Sequence, residues 1–189
     1  MTDTGTRRDS EPPAGASIRA ARPADTPRIL ELIRELAVYE RLADQVTADE
    51  AGIGRALFGE PRWAEALVGE VDGQVVAFAL FFHNFSTFLG RPGLYLEDLY
   101  VQPVHRGRGL GRRLLAALAG IAVERGCGRM EWAVLDWNAP AIGFYDALGA
   151  RPMRDWTVFR LTGDRLARLA DAVSGPGDHP VSGMPVPGK

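Results

Sequence analysis

The 189-residue chain holds a single cysteine, Cys127. That excludes an intrachain disulfide framework and a cysteine-rich zinc site. Its three histidines, His83, His105 and His179, lie far apart and lack ligand spacing, so no metal is expected. No apolar run approaches the ~20 residues that cross a bilayer. The first sixteen residues have no apolar stretch of the kind a secretory leader needs. Neither sign of charge dominates: Lys and Arg number 22, Asp and Glu 24, for a formal net charge of −2. Phosphate affinity comes from surplus Lys and Arg, so a broad polyanion binder is excluded, and neither nucleic acid nor membrane is expected as a partner. One unpaired cysteine suits a reducing cytoplasm, the expected location.

What remains is ample core material, with 46% hydrophobic residues. Residues 1–16 and 173–189 are rich in Pro, Gly and polar residues and read as tails that cannot offset their ordering entropy. The globular domain is expected over 17–172. Ser17–Ala21 reads as a strand. Thr26-Pro27 opens a helix carrying Ile29, Leu32, Ile33 and Leu36 at helical spacing. Thr47–Glu50 has the form of a capping box ahead of a second helix. Ala64–Val71 and Gln74–Phe82 are strand-like runs split by Asp72-Gly73, a hairpin signal. Gly93–Val101 and Arg129–Leu135 read as strands, Gly109–Arg125 and Asn138–Leu148 as helices. Thr157–Leu161 reads as a last strand and Asp164–Ala172 as a last helix. The expected class is α+β, or mixed α/β.

The sharpest local feature runs from Val101 to Arg113, where a strand ends, a Gly/Arg loop follows and an amphipathic helix begins. Glycines let the backbone turn tightly and approach a ligand. The first N–H groups of the helix have no intrahelical partner and attract an anion. Arg106, Arg108 and Arg112 or Arg113 add positive charge. The spacing Gly107-x-Gly109-x-Gly111 is not the dinucleotide fingerprint, and no Gly-Lys-Ser/Thr follows as in a Walker loop. Two readings remain: an Arg-x-x-Gly-x-Gly pyrophosphate loop at Arg106–Gly111, or a glycine-rich turn with solvated arginines.

In that setting Arg106–Gly111 resembles the acetyl-CoA pyrophosphate motif of the GNAT N-acetyltransferases. Four further stretches, 18–21, 36–40, 94–101 and 136–145, are similar to the spermidine/spermine N1-acetyltransferase (diamine and thialysine acetyltransferase) branch. The resemblance spans roughly 17–165. It implies a central, twisted, mostly antiparallel sheet with a splayed parallel pair, flanked by helices. It implies acetyl-CoA as co-substrate, no metal, a small-molecule amine as acceptor, and a homodimer. Leu99, Tyr100, Val101, Arg106, Gly107, Arg108, Gly109, Leu110, Gly111, Arg112, Asn138 and Tyr145 are the expected acetyl-CoA contacts. Asn138 is equally well explained as a helix cap.

Acetylating an amine requires its neutral form, and at pH 7 removing the proton from a group of pKa 10.4 costs about 4.6 kcal/mol. A carboxylate can accept that proton directly or through water. Glu97 is the candidate base, at the position the branch uses. In an ordinary strand Glu97 and Asp98 face opposite sides, so only one faces a given cleft. The departing thiolate needs a proton, and Tyr145 is the candidate donor. Glu35, Tyr39, Glu40, Glu97 and Asp98 are the expected acceptor-binding residues, although Glu35 and Glu40 also fit a solvated helix face. The expected reaction is direct attack in a ternary complex. Two alternatives stay open: acetylation of protein N-termini or lysines, and a non-catalytic acyl-CoA-binding module.

Overall fold

The computed structural model describes residues 15–172, so the tails read from composition lie almost wholly outside the described residues. Five strands and five α-helices follow in the order β1 (Ala16–Ala20), α1 (Thr26–Glu40), α2 (Glu50–Phe58), β2 (Glu65–Val71), β3 (Gln74–Ser86), β4 (Arg91–Val101), α3 (Leu110–Glu124), β5 (Met130–Trp132), α4 (Ala139–Ala147) and α5 (Gly163–Asp171). The sheet order is β1-β2-β3-β4-β5. The first four strands pair antiparallel, and β5 joins β4 in parallel. This is the mixed, mainly antiparallel sheet with flanking helices expected from the sequence. The chain falls into two compact units, with the boundary after Leu135.

In the first unit, local chemistry accounts for most element boundaries. Asp72 (φ 52°) and Gly73 (φ 76°) both take positive φ between the paired residues Val71 and Gln74. A two-residue hairpin of this twist requires that conformation. The cap of α2 is Asp49, whose Oδ1 accepts from the Gly52 N–H at 2.7 Å, rather than Thr47. Helix α1 starts at Thr26, whose hydroxyl donates to the Pro23 carbonyl at 2.8 Å. Just before it, Asp25 accepts from both terminal nitrogens of Arg19 at 2.6 and 2.9 Å, and the guanidinium holds this carboxyl below the usual carboxylate range.

Cross-strand register places α1 and α3 on opposite faces of the sheet. Val68, Phe78 and Tyr100 are neighbours across β2, β3 and β4, and they pack with Ile29, Leu32 and Leu36 of α1 and Leu57 of α2. One residue along, Gly69 pairs with Ala77, and a Cβ added at Gly69 would meet Ala77 at 3.1 Å and Leu110 of α3 at 3.3 Å. Leu110, Leu114 and Leu118 are buried along the inner side of α3, as their spacing predicts. The sheet thus presents two different apolar faces to two helices, each following the period-2 alternation of strand side chains.

Two expected strands differ. Of Arg129–Leu135 only Met130–Trp132 pairs, because β5 leaves the ladder after Trp132. In the second unit, Thr157–Leu161 joins no strand, although its β-branched and aromatic residues favour one. A strand exists only where an edge accepts it, and none pairs with this segment among the described residues.

Candidate active site

Strand β4 carries the centre of the site. It pairs with β5 only at Leu94, Tyr95 and Leu96, opposite Met130, Glu131 and Trp132. It then runs on to Val101 with β3 on one side and no ladder partner on the other among the described residues. An open strand edge offers N–H and C=O groups to an extended ligand. The register with β3 shifts at the same place: Phe81 opposes Leu96, while Leu80 opposes Asp98. Glu97 is the extra residue of a β-bulge, a device that re-aims side chains beside functional sites. It is exposed, whereas Asp98 is part-buried.

The loop after β4 places its glycines where only glycine fits easily. Gly107 has φ 73° and Gly109 φ 76°, values that carry a steric penalty for residues with a Cβ. Gly109 is the N-cap of α3 and supplies no side-chain cap, so the first N–H groups of a 15-residue helix are left without a capping side chain. Arg108 and Arg112 are exposed beside it. This backbone cradle with two nearby cations fits a diphosphate. Two other arginines are oriented differently. Arg113 donates to the Ala16 carbonyl at 3.2 Å and ties α3 to β1. Arg106 turns back toward the sheet: its Nε donates to the Val101 carbonyl at 2.8 Å, and its guanidinium lies 4.8 Å from the Tyr39 ring centre and 5.4 Å from that of Tyr100.

On the α1 face of β4, Asp98 and Tyr100 meet the last turns of α1. Burial, and then the neighbouring carboxylates of Glu97 and Glu40, push Asp98 up to about 6. Burial also raises Glu40. The Asp98 carboxyl is thus the member of this acidic cluster that feels the other two charges. Glu35 serves differently. Its carboxylate accepts from the Tyr100 hydroxyl at 3.2 Å and from Gln102 Nε2 at 3.0 Å, with Arg28 at 3.6 Å. Gln102 and Arg28 are absent from the sequence reading. Arg28, Glu31 and Glu35 recur at i, i+3 and i+7 on α1, which is the signal that marks them as one polar stripe.

The second unit holds the other two expected residues. Asn138 is buried and caps α4, accepting from the Ala141 N–H at 3.3 Å. Tyr145 is half-buried on the same helix, its ring 5.4 Å from that of Phe144. Cys127 follows α3, with its N–H donating to the Ala122 carbonyl at 2.8 Å.

A parallel pair that stops pairing after Leu96, beside a glycine-rich helix N-terminus, is the arrangement that the GNAT resemblance implies. The acetyltransferase (GNAT) family model matches residues 28–150, across the boundary between the two units. The thialysine N-epsilon-acetyltransferase of Bos taurus is 40% identical, over 81% of this chain and 96% of that protein. The L-ornithine N5-acetyltransferase NATA1 of Arabidopsis thaliana is 34% identical, over 80% of this chain and 86% of its own. Among solved structures, an integron cassette protein from the V. cholerae mobile metagenome superposes with a TM-score of 0.70 at 26% identity, covering 82% of this chain and 98% of that one. The chain belongs to the GNAT acetyltransferase family, in its spermidine/spermine N1-acetyltransferase-like branch, and is an N-acetyltransferase.

Proposed function

We propose that the protein transfers an acetyl group from acetyl-CoA to a primary amine of a small molecule, a polyamine, diamine or lysine-like amino acid. The observation that carries this reading is the carboxyl group of three, Glu40, Glu97 and Asp98, set where the open edge of β4 begins. Acidic groups of this kind attract an alkylammonium and accept its proton. The thialysine and ornithine acetyltransferases at 34–40% identity support the same class of acceptor.

Acetyl-CoA supplies a thioester carbonyl when bound. The N–H groups of Gly107–Gly111, together with Arg108 and Arg112, hold its diphosphate, and the stretch Leu99–Val101, which no strand pairs on the β5 side, takes the extended arm. Glu97 and Asp98 accept the proton of the amine, with Glu35, Tyr39 and Glu40 lining the approach. Backbone N–H groups of the β4 edge stabilise negative charge on the carbonyl oxygen. Tyr145 donates a proton to the departing thiolate, and Asn138 orients α4. Attack is direct, with no acyl-enzyme. Cys127, held at the C-terminal end of α3, has no part in it.

The test is thiol release from acetyl-CoA by the full chain, against polyamines, diamines, thialysine, lysine, ornithine and lysine-containing peptides. Turnover is expected on the small diamines and lysine-like acceptors and not on the peptides. Turnover confined to peptides, or CoA binding without turnover on any amine, would overturn the reading.

The protein is further proposed to act as a homodimer in the cytoplasm. Met153, Trp156, Val158 and Phe159 of the second unit are exposed, at 64%, 69%, 84% and 92%. Four large apolar side chains within seven residues are a surface that a second copy of the chain would cover. Sedimentation of the wild-type chain should give twice the monomer mass of 20.5 kDa. A Phe159→Asp, Val158→Asp chain should sediment as monomer. A monomeric wild type at micromolar concentration would refute the dimer.

A further inference from the structure

Arg106 opens the glycine loop, yet its contacts point away from it. Its Nε is used by the Val101 carbonyl at 2.8 Å, and its guanidinium lies over the rings of Tyr39 on α1 and Tyr100 on β4. One residue along, Gln102 donates its side chain to Glu35 of α1 at 3.0 Å and its backbone N–H to the Val76 carbonyl at 3.0 Å. Tyr100 donates to the same Glu35 carboxylate at 3.2 Å. Three consecutive residues at the end of β4, Tyr100, Val101 and Gln102, are thus tied to α1 directly or through Arg106. All three lie where the β5 side of the strand is open. A strand end without a ladder partner on one side needs another restraint to stay extended, and these contacts supply it from the opposite face.

We infer that Arg106 is a positioning residue that braces the end of β4 against the last turns of α1, and so couples the anion cradle to the carboxylate-lined acceptor face. The inference rests on the acetyl-CoA reading above and deepens it. The loop whose backbone receives the diphosphate begins at the residue whose side chain touches Tyr39, one position before Glu40. Ordering that loop orders the acceptor wall, and the converse follows, because coupling between two sites is reciprocal. Arg108 and Arg112 are exposed on the loop and helix start, and the reading above gives them the diphosphate.

Arg106→Met, Arg106→Lys and Arg108→Ala chains test this. In the unliganded protein, hydrogen exchange of residues 36–42 and 99–103 should quicken about tenfold in Arg106→Met and stay unchanged in Arg108→Ala. That magnitude is the low end for losing one exposed hydrogen bond from a charged group. Arg108→Ala should weaken CoA binding about tenfold, whereas Arg106→Met should stay within about threefold of wild type. With the best amine acceptor, Arg106→Met should raise KM for the amine about tenfold while kcat changes less than about twofold. Arg106→Lys, which keeps the cation over the rings, should recover most of that loss. Wild-type exchange rates in Arg106→Met would overturn the brace. So would a loss of CoA affinity equal to that of Arg108→Ala with the amine KM unmoved. The exchange measurement needs neither CoA nor an amine, so it decides the brace independently of whether any acceptor is turned over.

Discussion

Replacing Tyr145 by phenylalanine should lower kcat by about 10²–10³-fold, the range for loss of a positioned acid, while CoA affinity stays within about twofold. The change removes one hydroxyl from a half-buried ring that packs beside Phe144. The ring and its packing beside Phe144 are kept. A thiol leaving group near pKa 8.5 departs most readily with a proton supplied. The measurement is steady-state thiol release beside equilibrium CoA binding. Acyl donors with more acidic thiols should narrow the gap between variant and wild type, because they need the proton less. An unchanged kcat in the phenylalanine variant removes Tyr145 from the mechanism.

Asp98→Asn should act on stability and activity in opposite directions. The Asp98 carboxyl is pushed up to about 6 in the folded protein, first by burial and then by Glu97 and Glu40, against an ordinary value of 3.8. Between these values the folded chain holds a proton that the unfolded chain has released. The stability associated with the protonated group is complete below about pH 4 and is lost as pH rises through 6. The asparagine variant escapes that loss. Its unfolding free energy from urea titration should match wild type at pH 4 and exceed it at pH 7, by about 2 kcal/mol after allowance for solvent screening of the partly exposed carboxylates. Activity should show the reverse. Wild-type kcat/KM for the amine should rise through an acid limb near pH 6 as Asp98 ionises. The variant should lose about 10²-fold at pH 7 and lack that limb. Stability profiles of variant and wild type that run parallel from pH 4 to 7 would refute the assignment of the raised group to Asp98.

Such a trade between stability and function is common where a site concentrates like charges. It also marks the limit of reading the chain from its residues. The periodic leucines of α1 and α3, the Asp72-Gly73 turn and the Gly107–Gly111 loop were legible because each depends on local chemistry: helical spacing, positive φ, an unfilled helix N-terminus. What escaped depends on partners distant in sequence. Glu97 and Asp98 look like an ordinary alternating pair, and only the pairing of Asp98 with Leu80 and of Leu96 with Phe81 reveals the bulge. Residues 133–135 look like a buried strand, and only the departure of β5 after Trp132 shows otherwise. Arg106 matches a phosphate motif, and its side chain is drawn back by two tyrosines, one of them 67 positions earlier in the chain. Glu35 was expected among the acceptor-binding residues. The three groups it holds in place could be seen only once α1 and β4 were set side by side.

The single extra residue at Glu97 acts on parity. Leu94 and Leu96 oppose His83 and Phe81, whose side of the sheet is that of Ala77 and α3. Asp98 and Tyr100, also even-numbered, oppose Leu80 and Phe78, on the side of α1. In an unbroken strand all four would lie on one face. The acid and the tyrosine that meet Glu40, Tyr39 and Glu35 would then sit among the leucines of α3, and the cleft would lose its charge without the loss of one charged residue. The acceptor chemistry proposed for this enzyme is in that sense a counting property of β4, set by the number of residues between Leu96 and Tyr100 as much as by their kind.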